Sequence, residues 1–451
     1  MGGIRALRTN LISALRQRGD IAGAVVTGYL QMAVSIAVNL LLVPLYLRTL
    51  GTGGFGLLMM LIGLNAWAGI ATLWLVGGVT RRLGVTHAHG RREEFAAAWA
   101  AAKWGILAGT ILVAGSISGL VWFMPALFGP EATRSNDFWV AMIFFYLQFG
   151  AAWLYGIDRL ALTVSGHQTL ANLLLGGQQL LLGVLVFVAL HLGGGLSSVM
   201  AAFFGSHAAA LAASAICRRL YLGRLSWRSP FDPAVRSELI SMLSRQGAAF
   251  QVFGVLMLSL QADILIVGLI GGPLIAAEFA LVWKIAEVLI QALWRIPDTL
   301  QPRMIHLDAK HETTLLKALL GRVDWALLCL AAAAGIAYAL LGRWIISLWV
   351  GAEHAPSDIW VYVLGGGAIF WLAISRLPIS AAYGTGRLRR LLQVGSIEFL
   401  GKVLGTAALI GAYGLLAPLI AINAVHALGV AYGYRSVLRP IGEPERRHES
   451  G

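Results

Sequence analysis

The stretch AEFALVWKIAEVLIQALWRIPDTL, residues 277–300, decides how the rest of the chain is read. About twenty predominantly apolar residues suffice for a helix to cross a bilayer, and this run has that length. Yet Lys284, Glu287, Gln291, Arg295 and Asp298 recur every three or four residues, so they form one charged stripe on an apolar helix. A charge at membrane depth costs roughly 2.5–3.5 kcal/mol on insertion scales. Such a stripe therefore faces a bundle interior or a watery cavity.

The remainder of the chain has the same character. Hydrophobic residues make up 58% and charged residues only 12%, far from the quarter-charged balance of an ordinary soluble domain. Mean hydropathy is positive. The 15 Trp and 54 Gly suit interfacial anchoring and close helix contact. Apolar runs between polar breaks predict helices near 20–47, 55–79, 96–124, 138–157, 171–190, 197–217, 247–270, 277–300, 319–341, 359–383, 394–411 and 415–434. The expected fold is an all-α polytopic membrane protein of about twelve transmembrane helices in two pseudo-symmetric six-helix bundles around a central cavity.

Most of the 34 Lys and Arg residues fall in segments that lie on one side of the membrane, while Arg48, Arg134 and Arg343 fall on the other. That asymmetry is the positive-inside signature and places both termini in the cytoplasm of a bacterial inner-membrane protein. The net charge of +13 is spread over short loops, which argues for orientation and against nucleic-acid binding. The opening stretch with Arg5, Arg8, Arg16 and Arg18 lacks a cleavage signal and reads as a basic cytoplasmic segment, 1–19. The outer loops are short, which disfavours a membrane glycosyltransferase.

Sliding the chain against itself by about 220 residues aligns Gln31 with Gln251, Arg81 with Arg303 and Gly129-Pro130-Glu131 with Gly351-Ala352-Glu353. The expected layout is a six-helix bundle at 20–217, a cytoplasmic loop and hinge at 218–246, a second bundle at 247–434 and a tail at 435–451. Six helices per half relate the halves by an axis along the membrane normal and put a cleft between them.

Polar stripes supply the candidate site. Thr27, Gln31, Ser35 and Asn39 share one face of the first helix; Gln251, Ser259 and Asp263 share one face of the seventh. Asn65 and Thr72 stand on the second helix. Glu398 and Lys402 have the four-residue spacing of a mutually neutralising pair. Lys103, Asp158, Arg159 and Asp324 sit near helix ends, where snorkelling is the default expectation. Arg376 suits either a packing salt bridge or substrate contact. Cys217 and Cys329 read as inert core residues, and His87 and His89 as solvated loop residues. No phosphate-binding glycine loop, HExxH or His/Cys cluster is present, so neither ATP hydrolysis nor a metal cofactor is expected.

The segment Leu42-Val43-Pro44-Leu45-Tyr46-Leu47-Arg48-Thr49-Leu50-Gly51, followed by Gly54-Phe55-Gly56, resembles the polysaccharide transporter or O-antigen flippase family of the multidrug/oligosaccharidyl-lipid/polysaccharide exporter group. Gly77-Gly78-Val79-Thr80-Arg81, Ser165-Gly166-His167-Gln168 and Gln261-Ala262-Asp263 extend the resemblance over nearly the whole chain. It implies a non-enzymatic, alternating-access flippase for undecaprenyl-pyrophosphate-linked oligosaccharide. Lys284 and Arg295 are then candidates for the anionic headgroup. Gln291, Gln31, Asn39 and Gln251 are candidates for sugar contact, and Ser259 and Asn65 for the lining of the substrate cavity. Glu287, Asp263 and Glu398 are candidates for coupling to Na+ or H+. Membrane lipids and other polysaccharide-assembly proteins are the expected partners. Two alternatives remain at this point: a drug or cation antiporter of the multidrug and toxic-compound extrusion type, and a non-transporting scaffold for polysaccharide assembly.

Overall fold

The structure is a computed structural model that describes residues 2–123, 125–128, 130–244, 263–384 and 388–438. Gln251 and Ser259 lie outside the described residues. Among the described residues the secondary structure is helical throughout, as a chain that must satisfy its backbone hydrogen bonds inside lipid requires. The helices are α1 (Gly2–Ala88), α2 (Arg92–Phe123), α3 (Pro130–Arg134), α4 (Asn136–Val164), α5 (Gln168–His191), α6 (Leu196–Leu222) and α7 (Pro233–Ser244). After them come α8 (Asp263–Ala309), α9 (Thr313–Val350), α10 (Ile359–Gly384), α11 (Leu388–Tyr413) and α12 (Leu416–Gly433).

Ten helices among the described residues are long and apolar enough to cross a membrane. Two of them, Val26–Asn65 and Asp263–Asp308, are far longer than one crossing needs. Each is broken at a glycine, Gly51 (φ 69°, ψ 174°) in α1 and Gly272 (φ 86°, ψ 171°) in α8. The break at Gly51 divides α1 into two crossing segments; in α8 the part after Gly272 is long enough to cross by itself, while the helix expected near 247–270 has only its end, from Asp263, among the described residues.

These two glycines also expose the internal repeat in the backbone itself. Positive φ is costly for a residue with a Cβ and marks places where the chain must turn. Gly51 pairs with Gly272, Gly90 with His311, and Gly193 with Gly414, all at positive φ and each pair 221 residues apart. The helix breaks and the turns between helices thus recur at one offset. At one of them a histidine stands where the first half has glycine.

The chain forms two compact units. Unit 1 comprises Met1–Gly51, Ala71–Pro125 and Pro130–Gly247; unit 2 comprises Thr52–Ile70, Ala126–Gly129 and Ala248–Gly451. In unit 1, α4 packs along α6, and Asp137 at the start of α4 accepts the Leu196 and Ser197 amides at 3.0 and 3.2 Å, capping α6. Of the segment 218–246, expected as a hinge, the described residues 218–244 pack within unit 1. Trp227 packs edge-on against Trp99 and Trp104, each at 5.7 Å, and Trp104 Nε1 donates to the Arg228 carbonyl at 2.9 Å. Val235 and Met242 of α7 are buried with Phe95 and Trp99 of α2. Arg82 ties α7 down further, its Nε donating to Glu238 Oε2 at 2.9 Å and its Nη2 reaching Glu94 at 3.0 Å. Those hydrogen bonds, Glu238 first, hold the Arg82 guanidinium above even its ordinary high range.

In unit 2, α8 packs on α9 and α10, and α11 on α12 and α8. Tyr338 of α9 donates to the Val282 carbonyl of α8 at 2.8 Å. Helices α9 and α10 approach through glycine: a Cβ on Gly335 would lie 2.6 Å from the Gly366 carbonyl oxygen. Small residues permit such backbone contact where lipid supplies no hydrophobic drive. Gly335→Leu should therefore force the two helices apart and cost about 1–3 kcal/mol or more, seen as a lower melting temperature of the purified protein. An unchanged melting temperature would show that the contact is not needed.

Candidate functional site

The charged stripe of α8 is present and largely occupied with neutralising its own members. Lys284 Nζ lies 3.4 Å from Glu287 Oε2, and Gln291 Nε2 donates to Glu287 Oε1 at 3.0 Å. All three are half-buried, whereas Arg295, one turn on, is exposed. Asp298 closes the stripe by accepting both Nε and Nη2 of Arg376 at 2.8 Å, with Ser380 Oγ adding a third bond at 3.0 Å. The planar guanidinium suits this two-pronged contact. It also lies 5.0 Å from the Trp294 ring centroid, and Trp294 Nε1 is fixed by the Leu372 carbonyl. Arg376, open to two readings from the sequence, thus joins α10 to α8.

A second group of charges in unit 2 is sealed. Asp263 is 5% and Lys402 1% exposed, and Lys402 Nζ lies 2.6 Å from Asp263 Oδ1. Glu398, one turn before Lys402, is 1% exposed, and its Oε1 lies 3.1 Å from Nδ1 of the fully buried His426. The four-residue spacing suggests a Glu398–Lys402 pair; the structure instead gives each a partner on another helix, Asp263 on α8 and His426 on α12. The opposite nitrogen of His426, Nε2, is buried with no hydrogen-bond partner among the described residues.

Unit 1 holds the third group, and here snorkelling is overturned. Lys103 of α2 and Asp158 of α4 are buried, and Lys103 Nζ lies 2.8 Å from Asp158 Oδ2. Arg218 of α6 brings its Nε to 3.0 Å from Oδ1, and Trp99 Nε1 donates to the same oxygen at 2.8 Å. The Arg218 guanidinium lies over the Trp99 ring at 4.4 Å, a cation–π contact. Two cations thus share one carboxylate away from solvent. Helices α2 and α4 run 32 and 29 residues, beyond what a crossing needs, and the docked 223–244 segment covers these positions with protein.

The polar face of the first helix is partly used within unit 1. Gln31 Nε2 donates to Ser35 Oγ at 3.0 Å, and Asn172 of α5 donates to Thr27 Oγ1 at 3.2 Å. Gln31 is half-buried and Asn39 exposed. Asn65 is half-buried and belongs to unit 2. Tyr434 donates to Asp324, which is therefore tied to protein. Cys329 is exposed, not in the core, and Cys217 is partly covered; both are free thiols. The sequence reading missed His426, whose signal was a lone imidazole inside the apolar run Ala424-Val425-His426-Ala427-Leu428. It also missed Arg218, which looked like one loop cation among many.

No protein-family model matches the chain, and no curated protein matches it. Solved structures do. An inward-facing multidrug resistance MATE family transporter of the MOP superfamily is 12% identical, covering 91% of this chain and 98% of that one with a TM-score of 0.69. The lipid II flippase MurJ in an inward closed conformation is 12% identical, covering 92% and 87% with a TM-score of 0.70. The Vibrio cholerae MATE transporter VcmN is 14% identical, covering 95% and 98% with a TM-score of 0.64. At such identities the likeness establishes the fold. The chain is a multi-pass membrane protein that shares the fold of these structures.

Proposed function

We propose that this protein is a flippase that moves an undecaprenyl-pyrophosphate-linked oligosaccharide, a unit of O-antigen, capsule or exopolysaccharide, from the inner to the outer leaflet of the bacterial cytoplasmic membrane by alternating access. The observation that carries this reading is electrostatic. Each buried carboxylate among the described residues has a resident basic partner: Lys103 and Arg218 at Asp158, Lys402 at Asp263, and His426 at Glu398. Arg376 does the same for the half-buried Asp298. A cationic drug needs acidic groups free to receive it. An anionic pyrophosphate needs cations, and Arg295 is exposed while Lys284 keeps partial exposure beside Glu287. Within unit 2, Lys284 and Arg295 are assigned to the anionic headgroup, and Gln291 and Asn65 to sugar hydroxyls; within unit 1, the polar face with Gln31 and Asn39 is assigned to sugar hydroxyls.

Coupling is assigned to the sealed pairs of unit 2. Asp263 already has the Lys402 ammonium at 2.6 Å, whereas the partner of Glu398 is an imidazole, a group suited to relaying protons. A proton therefore suits this site better than Na+. A drug-extruding function is the second reading, supported by the equally extensive likeness to MATE structures. It would use Glu278, exposed on α8 and without an ion-pair partner among the described residues.

Three measurements test this reading, the first of them against drug extrusion. A deletion strain should accumulate lipid-linked oligosaccharide on the inner leaflet without becoming drug-sensitive; drug sensitivity with intact glycans would favour extrusion. Lys284→Ala and Arg295→Ala should each lower surface polysaccharide by roughly tenfold, the loss of one charge-assisted contact, at normal protein abundance. Full glycan output in both would remove these residues from the site. In vesicles loaded with the purified protein, a protonophore should stop translocation while replacing sodium should not.

A further inference from the structure

A cavity of about 280 Å³ opens where α1 turns into α2 and meets the end of α6, within unit 1. His87, Arg92 and Tyr221 give it polar groups, and Phe95, Leu222 and Leu225 give it an apolar wall. Its size is just below the roughly 300–1,000 Å³ of sites that enclose a whole small-molecule ligand. It is suited to part of an amphiphile, a polar headgroup with its first carbons.

The charge pattern around it is uneven. Arg82 is paired with Glu238 and Glu94, Arg91 with Glu94, and Arg228 with Glu93. Arg92, which lines the cavity, has no carboxylate partner among the described residues; a single 3.5 Å contact to the Leu222 carbonyl occupies one of its five N–H donors. His87 uses only Nδ1, 3.4 Å from Ser165 Oγ, which leaves Nε2 for a ligand. The Tyr221 hydroxyl has no hydrogen-bond partner among the described residues. A guanidinium with open donors, an imidazole and a phenol around one small space form a receptor for an oxyanion.

The surroundings indicate which oxyanion. Ile216, Leu220 and Tyr221, at the same end of α6, are 60%, 74% and 55% exposed. In a multi-pass membrane protein such apolar surface next to a tyrosine is where acyl chains and the interfacial region lie. The charge asymmetry of the loops assigns this arginine-rich end to the cytoplasmic leaflet, which carries anionic lipid. We infer that this cavity binds the phosphate of an anionic phospholipid headgroup, with Arg92 as the main contact and His87 and Tyr221 beside it. The site is separate from the charged groups assigned to transport, and the inference does not depend on which substrate is moved.

The test uses the full chain in vesicles or nanodiscs of phosphatidylcholine with and without phosphatidylglycerol, followed by native mass spectrometry of the detergent-released protein. Wild type should retain phosphatidylglycerol over phosphatidylcholine. Arg92→Gln should reduce that retention at least roughly fivefold, the effect of one interfacial arginine, and His87→Ala should reduce it less. Arg236→Gln, a basic residue of α7 that does not line the cavity, should leave it unchanged. Equal loss in Arg236→Gln would mean diffuse attraction to a charged surface and overturn the site, as would full retention in Arg92→Gln. If millimolar inorganic phosphate displaces the lipid from wild type, the cavity takes a soluble anion and the lipid assignment fails. Should Arg92→Gln fold poorly, Arg92→Lys provides the second variant: it keeps the charge but loses the fork, so intermediate retention is expected, and wild-type retention would overturn the assigned guanidinium contact.

Discussion

Replacing Lys402 by methionine is expected to destabilise unit 2 by about 3–5 kcal/mol, because it leaves the sealed Asp263 carboxylate without its cation. Asp263→Asn should also lower stability, since it removes the carboxylate that Lys402 Nζ contacts at 2.6 Å. The double variant, Asp263→Asn with Lys402→Met, should recover most of the stability of wild type. A buried pair replaced as a whole costs far less than a pair broken on one side, and the two changes must therefore be strongly non-additive. Thermal melting of the purified protein would measure all three. Additive losses would mean that the 2.6 Å contact carries no coupling energy. Transport then separates structure from mechanism: a double variant that is stable but inactive places the pair in the coupling route, and one that transports normally reduces it to a packing element.

The second large effect concerns unit 1. Asp158→Asn removes the carboxylate shared by Lys103 and Arg218 and leaves two like charges side by side under Trp99. A loss of about 3–5 kcal/mol is the expectation for an uncompensated buried charge. Lys103→Met should be much milder, about 1–3 kcal/mol, because Asp158 keeps the Arg218 contact and the Trp99 hydrogen bond. The order of the two variants is the diagnostic result. Equal losses, or a larger loss in Lys103→Met, would show that packing and not charge holds the cluster. Trp99 emission offers a local readout, since its Nε1–H donates to the carboxylate that is removed.

Much of the architecture was legible because it is set locally. Span lengths follow from the thickness of the hydrocarbon core, and the stripe from Lys284 to Asp298 follows from the helical period. The repeat was legible from scattered matches, and the backbone sharpened it: Gly51 and Gly272 adopt nearly the same conformation. Glycine at these positions reflects a positive φ that few other residues take without cost.

Partner choice was not legible. Glu398 and Lys402 are neighbours on one helix, yet Asp263 and His426 reach them from others, at separations of 139 and 28 residues. Arg376 finds Asp298 across 78 residues. Lys103 and Asp158 lie near helix ends, where hydropathy suggests contact with headgroups, but the docked segment carrying Trp227 encloses them. The amino-acid sequence by itself determined that the chain crosses a membrane many times, which helix faces are polar, and that its two halves repeat. Only the tertiary structure decided which charges are neutralised inside and which lie exposed, because that depends on which helices approach within hydrogen-bonding distance, and no periodicity along one helix encodes the distance to another.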